Sequence, residues 1–488
     1  MKIKIDIKKC ILIIVASVIF ASILYIKNNI LITSFEQFLY GTMKLKGSGH
    51  STVLYGIIYV LVSFIIVCSI LLLPVADFGK KIVACIKNKT VQLHPIKNIK
   101  CYSIVLLLLS ITGVLYELDF FPFIKNIVFS NTDIFDKYYV DSGDVEISFP
   151  NEKKNLIYIL VESLESSNAS IENGGLFEES IIPNLENIAL ENINFSNNEK
   201  IGGAYQSNGT GWTAASMISQ TSGVPLKVSI DDFNINSTRF INITTIGDIL
   251  AENGYNSYLL LGSDASFGGR RAYFSNHNYL IKDYYSAIEE GKIDADYYQW
   301  WGYEDAKLFD YAKEMLTEIS NDDKPFNLTM LTADTHFTDG YLDESCNNKF
   351  DDPYSNAIYC SDSKIGEFLG WVKEQDFYED TTIVIVGDHY TMQENFYEDK
   401  DYSKRSIYNA FINVDVGGNI KIKNREFTTL DMFPTTLSAL GADIEGDRLG
   451  LGTNLFSDKK TVPEIIGINE FNEELMKGSH YYYNYIRK

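Results

Sequence analysis

Basic residues are scarce in this chain of 488 residues, where 42 Lys and Arg stand against 64 Asp and Glu. The shortage is uneven. Residues 1–118 hold 13 lysines, no arginine and four acids, so the rest of the chain carries a formal charge of −31. Because nucleic acids are bound by clustered Lys and Arg, this acidic body argues against a nucleic-acid partner. The apolar fraction of 46% excludes a mainly disordered chain.

Cysteine is scarce too. Of six cysteines, only Cys346 and Cys360 lie beyond residue 118. They lack the short C-x-x-C spacing and a nearby His, so they make a poor zinc pair. Separated by 14 positions, they would close a small loop under oxidising conditions, and we expect a disulfide between them.

Three long apolar runs contrast with the acidic body, at about 10–26, 53–75 and 101–117. Each approaches the roughly 20 apolar residues that cross a bilayer. Lysines precede the first run and are frequent in the connection 76–100, but only three lie between the first and second runs. By the positive-inside rule, 76–100 is cytoplasmic and everything after residue 118 lies outside. A cleaved signal peptide in place of the first span would leave the body on the same side.

The remainder of the chain has the pattern of an α/β domain. Residues 119–150 are rich in Phe and Tyr, which is typical of a juxtamembrane connector at the membrane interface. Short apolar runs then alternate with helical patterns, which predicts a mostly parallel sheet flanked by helices. The predicted strands are 156–161, 257–261, 326–331 and 382–386, and the predicted helices include 183–190, 245–252 and 305–319.

Polar residues follow all four predicted strands. Glu162 follows the first, Asp264 the second and His336 the third, and Asp388 and His389 follow the fourth. Ligands of open parallel sheets bind beyond the carboxyl ends of the strands. One such residue alone would equally suit a helix cap or a solvated turn. Their recurrence at four strand ends predicts a functional site.

The residue types at these strand ends suit metal-assisted chemistry. Glu162, Asp388 and His389 offer two carboxylates and an imidazole, which suit Mn²⁺, Zn²⁺ or Mg²⁺. A nucleophile is available in Gly209-Thr-Gly-Trp-Thr213, which precedes a helical pattern. A Thr in the first helical turn would present its hydroxyl where the helix dipole favours an anionic phosphoryl group. An ordinary helix cap is the alternative for Thr213.

Several strings in the chain, taken in order, resemble one family. They look like the phosphoglycerol transferases and lipoteichoic acid synthases, which belong to the sulfatase-like branch of the alkaline phosphatase superfamily. The strings GTGWT and DTHF-x-DGY are closer to the transferase type. The matching segments are 155–163, 209–213, 334–341, 387–389, 429–437 and 448–455.

The resemblance implies an alkaline-phosphatase-like catalytic domain at 151–460, followed by a C-terminal extension at 461–488. It implies one Mn²⁺, with Zn²⁺ or Mg²⁺ possible, held by Glu162, Thr213, Asp388 and His389. Thr213 would take the glycerophosphoryl group from phosphatidylglycerol, release diacylglycerol, and pass the group to a glycan, glycolipid or teichoic-acid acceptor. The enzyme would be a multi-pass protein of the cell membrane, with its catalytic domain on the extracytoplasmic side.

The same resemblance matches Arg270 and His336 to residues that grip the phosphate or the glycerol. The chain departs from the synthase pattern at Gly268, where synthases have a Trp. The choice between Arg270 and the adjacent Arg271 stays open.

The same superfamily suggests several alternative functions. A sulfatase needs Cys or Ser in the nucleophile turn, so Thr213 excludes that activity. Phosphoethanolamine transferases also use Thr, but usually with zinc and several disulfides, and the presence of only two cysteines beyond residue 118 argues against them. Another phosphodiesterase of the same superfamily stays an alternative. A catalytically silent binding ectodomain would have lost a ligand or the nucleophile, and all four residues are present.

Overall fold

A computed structural model describes residues 7–29, 35–43, 50–75, 82–86, 89–93, 96, 98–228, 242–393, 395–415 and 420–487. The chain divides into two units. The N-terminal unit comprises Met1–Phe38 and Ser48–Lys125, and the C-terminal unit comprises Leu39–Gly47 and Asn126–Lys488.

The long apolar stretches form helices, which satisfy their own backbone hydrogen bonds without water. Three are long and apolar enough to cross a membrane, at Cys10–Asn28, Gly56–Val75 and Ile99–Glu117. They confirm the three predicted apolar helices and support a membrane protein. Within the described residues, the first five α-helices are α1 (Ile7–Asn29), α2 (Phe35–Met43), α3 (His50–Leu72), α4 (Ile99–Glu117) and α5 (Phe120–Phe129).

The connection between α3 and α4 contains an antiparallel hairpin that is not apparent in the sequence. Its strands, β1 (Ile82–Ile86) and β2 (Lys89–Leu93), pair along their whole length. Residues 1–6 and 76–81, whose lysines contribute to the predicted topology, lie outside the described residues.

The C-terminal unit is built on a six-stranded sheet with the order β6-β5-β7-β4-β8-β9. Its first five strands are parallel and β9 is antiparallel, which confirms the predicted mostly parallel sheet. The four predicted strands are the four central ones, whereas the edge strands β6 and β9 have only four residues each. The strands of this sheet are β4 (Asn155–Val161), β5 (Asn256–Leu261), β6 (Tyr279–Lys282), β7 (Phe326–Leu331), β8 (Thr381–Gly387) and β9 (Asn409–Ile412). Shorter pairs are formed by β3 (Ile147–Ser148) with β10 (Asp443–Ile444), and by β11 (Arg448–Leu449) with β12 (Gly452–Thr453).

Helices flank this sheet and bury its apolar side chains. Ile157 and Ile159 of β4 belong to one buried cluster with Leu308 and Leu316, which lie on a long helix. The predicted helices at 183–190, 245–252 and 305–319 all form, within a residue or so of their predicted ends. The helices are α6 (Ile134–Tyr138), α7 (Pro183–Glu191), α8 (Thr213–Ser222), α9 (Ile246–Glu252), α10 (Arg270–Asn276), α11 (Tyr284–Glu289), α12 (Asp305–Ile319), α13 (Pro353–Lys373), α14 (Met432–Ala439), α15 (Val462–Ile466) and α16 (Ile468–Met476).

The C-terminal extension packs against the segment that precedes the sheet. The Thr132 amide donates to the Gly478 carbonyl at 2.9 Å, and the Phe135 ring lies 5.1 Å from that of Tyr482. The extension is therefore part of the fold of this unit.

Candidate active site

Two neighbouring strands, β4 and β8, end beside one another and position the acidic and imidazole groups of the cluster. In the order β7-β4-β8, Glu162 follows β4, and Asp388 and His389 follow β8. All three side chains are buried, and their potential ligand atoms lie within 4.8 Å of one another. Parallel strand pairing thus brings together the three residues that the sequence suggested as metal ligands.

Thr213 meets this cluster as the first residue of α8. Its Oγ1 donates to Glu162 Oε2 at 3.0 Å and lies 3.4 Å from His389 Nε2. The helix is held there by Ser216, whose hydroxyl donates to the Asp388 carbonyl at 2.5 Å. Since the first N–H groups of a helix lack partners within it, the start of α8 presents both a hydroxyl and free donors to the cluster.

Hydrogen bonds orient the two residues after β8. Asp388 Oδ1 accepts from the amides of Ser163 and His389, both at 2.7 Å. His389 Nδ1 lies 2.8 Å from the Tyr390 carbonyl, which turns Nε2 towards Glu162 Oε1 at 3.4 Å. Asp388 Oδ2 is buried without a hydrogen-bond partner among the described residues, and it lies 3.3 Å from the same Nε2.

The electrostatics of this cluster suit a cation. Burial, with the charge of Glu162, raises the pKa of Asp388 well above its ordinary value. Burial acts in the same direction on Glu162, but interactions with the two neighbouring imidazoles and hydrogen bonds from the Ser163 and Thr213 hydroxyls outweigh it and lower the pKa of Glu162. Two buried carboxyls this close ionise together only if positive charge compensates them. The orphaned Asp388 Oδ2 and the oxygen and imidazole donors therefore fit a divalent metal ion.

The two candidate arginines have different surroundings. Arg271 pairs with Asp283, and its side chain is 42% exposed. Arg270 is buried, and it donates through Nε to the Phe267 carbonyl at 2.9 Å and through Nη2 to Ser263 Oγ at 3.1 Å. Its Nη1 donates to none of the described residues. Burial lowers the pKa of Arg270 to about 10, so the guanidinium stays charged at neutral pH.

Gly268 brings the loop that precedes Arg270 close to the N-terminus of α8. Its φ is +64°, and a Cβ there would lie 3.1 Å from the Ala214 Cβ, directly after Thr213. Glycine at this position, where the sequence departs from the synthase pattern, thus permits the loop to approach α8.

His336 lies on the loop after β7. Its Nδ1 is 2.6 Å from the Phe337 carbonyl, and burial lowers its pKa although the charge of Glu162 opposes this shift. The ring is therefore neutral at pH 7, and donation by Nδ1 leaves the Nε2 lone pair available. The Thr335 hydroxyl fixes the loop by donating to the Glu162 carbonyl at 2.5 Å. A disulfide between Cys346 and Cys360, with Cα atoms 5.7 Å apart, ties the same loop to α13.

A buried ion pair beside the site is not apparent in the sequence. Arg405 Nε donates to Glu165 Oε2 at 2.8 Å, and Glu165 Oε1 accepts from the Thr391 amide at 2.9 Å. The guanidinium also lies 4.6 Å from the centre of the Tyr390 ring. The pair supports the segment after His389. Its two members are 240 positions apart in the sequence, so no local pattern could predict it.

Comparison with known proteins identifies the family. The sequence model of the sulfatase family matches residues 154–442, more than half of the chain. The chain belongs to the sulfatase family. This confirms the family expected from the motifs around Glu162, Thr213 and His389.

Curated relatives of this sulfatase-family chain are phosphoglycerol transferases. It is 28% identical over 320 residues to phosphoglycerol transferase I of Xanthomonas campestris pv. campestris (strain B100), covering 63% of this chain and 43% of that protein. It is 30% identical over 342 residues to phosphoglycerol transferase I of Salmonella choleraesuis (strain SC-B67), covering 66% and 42%. The chain thus spans less than half of the length of either relative.

The fold is shared with a solved structure, the lipoteichoic acid synthase LtaP from Listeria monocytogenes. The TM-score is 0.51 at 19% identity, over 66% of this chain and 81% of that chain. At this identity the likeness concerns the fold, and it confirms the predicted α/β fold class.

Proposed function

We propose that this protein is a membrane-anchored phosphoglycerol transferase that uses Thr213 as its nucleophile. The observation that carries the proposal is the position of the Thr213 hydroxyl, at a helix N-terminus and within 3.4 Å of Glu162 and His389. The names of the curated relatives support the class of group that is transferred.

The proposed metal ligands are Glu162, Thr213, Asp388 and His389, and Mn²⁺ is the proposed ion, with Zn²⁺ or Mg²⁺ as alternatives. When bound, such an ion would lower the pKa of a ligating hydroxyl and compensate negative charge on a phosphodiester.

The chain's own residues account for the rest of the first half-reaction. Thr213 Oγ1 forms a bond to phosphorus while the bond from phosphorus to the diacylglycerol oxygen breaks. The hydroxyl proton leaves by way of Glu162, its hydrogen-bond acceptor, and diacylglycerol takes up a proton from solvent. Arg270 Nη1 and the first amides of α8 hold the phosphoryl oxygens, where charge develops.

In the second half-reaction, an acceptor hydroxyl attacks phosphorus and passes its proton to His336, while the bond from phosphorus to Thr213 Oγ1 breaks and that oxygen takes back a proton by way of Glu162. His336, neutral with its Nε2 lone pair available, is positioned to receive the hydrogen of a substrate hydroxyl. The proposed acceptor is a glycan, a glycolipid or a teichoic-acid chain.

The membrane anchor would hold the catalytic unit next to its lipid donor, phosphatidylglycerol. The lysines of 76–100 and the three apolar helices support a topology in which that connection is cytoplasmic and the catalytic unit lies on the extracytoplasmic side of the cell membrane. Tethering raises the effective concentration of the lipid, which offsets repulsion between an acidic domain and an anionic leaflet.

The test is release of diacylglycerol by the full-length protein in liposomes that contain labelled phosphatidylglycerol. We expect release with Mn²⁺, none with EDTA, and a loss of at least about 10³-fold in Thr213→Ala. Thr213→Ser keeps a hydroxyl and should retain measurable activity, and Thr317→Ala, an exposed change on α12, should match wild type. Release that persists in Thr213→Ala would overturn the proposal, as would release from phosphatidylethanolamine alone.

A further inference from the structure

Two adjacent tryptophans form the tip of a tight turn near the site. The Gln299 amide donates to the Gly302 carbonyl at 2.8 Å, and the Gly302 amide donates back to the Gln299 carbonyl at 2.9 Å. Trp300 and Trp301 occupy the two positions between them, with Trp300 at a φ of +55°. Reciprocal hydrogen bonds across two residues hold the tip in one conformation.

The turn is fastened to the carboxyl edge of the sheet at two strands. The Trp300 indole Nε1 donates to the Ala333 carbonyl, after β7, at 2.9 Å. The Tyr303 amide donates to the Gly262 carbonyl, after β5, at 3.1 Å. A Cβ on Gly262 would lie 2.3 Å from the Tyr303 carbonyl oxygen, so only glycine permits this approach.

The second tryptophan points its ring into the site. The Trp301 ring lies 4.7 Å from the His336 ring and 5.6 Å from the Phe267 ring. Phe267 in turn lies 5.8 Å from the Arg270 guanidinium carbon. Trp301 and Phe267 therefore form an aromatic surface between the two residues proposed to bind the substrate.

The two tryptophans differ in the hydrogen bonding of their indole N–H groups. Trp300 has its indole N–H bonded within the protein. Trp301 is half-buried, and its indole N–H donates to none of the described residues. An aromatic face with an unused N–H suits an uncharged, hydroxylated carbon chain, whose C–H groups pack on the ring and whose hydroxyls accept from the nitrogen.

We infer that Trp301, with Phe267, binds the glycerol moiety of the group that is transferred, beside the phosphate held at Arg270. The inference rests on the proposed function, which places a phosphate at Arg270. Trp301 is then a determinant of specificity: it distinguishes a glycerol phosphate from a phosphate with a small alkyl group.

The experiment uses fluorine NMR of the full-length protein in detergent with Mn²⁺, labelled with 5-fluorotryptophan. The chain has four tryptophans, so four signals are expected, each assigned by substitution with Phe. The probes are glycerol phosphate and methyl phosphate. We expect glycerol phosphate to shift the Trp301 signal, methyl phosphate to shift it less, and neither to shift Trp371, which packs on Phe368 and Phe377.

Titrations of the same two probes then measure the contribution of the ring. Trp301→Leu should raise the Kd for glycerol phosphate about three- to tenfold, which is the range expected for the loss of one aromatic contact. It should raise the Kd for methyl phosphate less than about twofold. Trp301→Phe should fall between Trp301→Leu and wild type, and Trp371→Phe should bind both probes like wild type.

An equal loss of affinity for both probes in Trp301→Leu would show that the ring only supports His336, and it would overturn the inference. So would an unmoved Trp301 signal in wild type while glycerol phosphate binds, or no binding of either phosphate. The wild-type shift does not depend on whether a variant folds. Because binding is measured without turnover, failure of lipid cleavage with an intact Trp301 response would reject the proposed function and leave this subsite standing.

Discussion

The hydroxyl of Thr213 donates a 3.0 Å hydrogen bond to the carboxylate of Glu162, 51 positions earlier in the chain. Glu162 follows the central strand β4 and Thr213 begins α8, so the bond joins the carboxyl edge of the sheet to a helix N-terminus. A hydroxyl beside a carboxylate is not by itself a strong nucleophile. In the proposed mechanism, a cation that the carboxylates share would supply the activation that such a hydroxyl needs at neutral pH.

Metal binding should stabilise the fold. We expect Mn²⁺ to raise the unfolding temperature of the full-length protein in detergent, since a ligand at 100 times its Kd contributes about 2.7 kcal/mol. Asp388→Asn should lose this response, because it removes the orphaned carboxylate oxygen. Scanning fluorimetry with Mn²⁺ or EDTA measures both.

In EDTA the Asp388→Asn variant should be at least as stable as wild type. Burial raises the pKa of Asp388, so the native carboxyl is costly to ionise and the neutral amide avoids this cost. The exposed Asp376→Asn change should keep the Mn²⁺ response. A full Mn²⁺ response in Asp388→Asn would contradict the assignment.

The two neighbouring arginines should respond differently to substitution by lysine. Arg270→Lys should lower kcat/KM for phosphatidylglycerol by about 10²-fold, since an ammonium cannot reproduce the guanidinium geometry. Arg271→Lys keeps a cation beside Asp283 and should stay within about threefold of wild type. Steady-state kinetics in mixed micelles compare the two, and a larger loss in Arg271→Lys would reverse the assignment.

Asp362 should give stability a distinctive dependence on pH. Its carboxylate accepts from the Leu185 amide at 2.8 Å and the Asn184 amide at 3.0 Å at the start of α7, and burial raises its pKa to about 6. The folded state then binds more protons than the unfolded state between about pH 4 and pH 6. This contribution is fully present below about pH 4 and is lost as the pH rises through about 6.

The measurement is the difference in unfolding free energy between wild type and Asp362→Asn at several pH values. Wild type should lose about 2–3 kcal/mol relative to the variant from pH 4 to pH 6.5. The contributions of the other carboxyls to the unfolding free energy are common to both proteins, so they cancel in the difference. Parallel curves, or a difference that grows with pH in favour of wild type, would show that the pKa of Asp362 is not raised.

The buried pair of Arg405 and Glu165 should be costly to break. Arg405→Gln leaves a buried carboxylate without its partner, and we expect a loss of about 3–5 kcal/mol in unfolding free energy. Lys137→Gln, which breaks the exposed pair with Asp133, should cost less than about 1 kcal/mol. Denaturant titrations give both values, and equal losses would contradict the structural role of the buried pair.

The central strands of the sheet could be predicted from continuous apolar runs in the sequence. Strand β7 forms at 326–331 as predicted, and β4 and β8 extend their predicted ranges by one or two residues. A strand buried on both faces needs an unbroken apolar run, and such a run is a local signal. The edge strand β9 had no comparable signal in the sequence, because only four of its residues pair with β8.

The cluster of Glu162, Asp388 and His389 could also be predicted from local sequence signals. Parallel strands end on one edge of a sheet, so polar residues that follow them are expected together without knowledge of strand order. The strand order β7-β4-β8, which makes the ends adjacent, came only from the structure.

Local sequence signals established three membrane helices, an α/β body and a set of polar strand ends, because hydrophobic length and periodicity act over a few neighbouring residues. Folding decided that Arg270 is buried beside the site while Arg271 pairs with Asp283, and that the Trp301 ring rests against His336. These relationships join distant parts of the chain, and their geometry is set by packing of the whole domain rather than by any local preference.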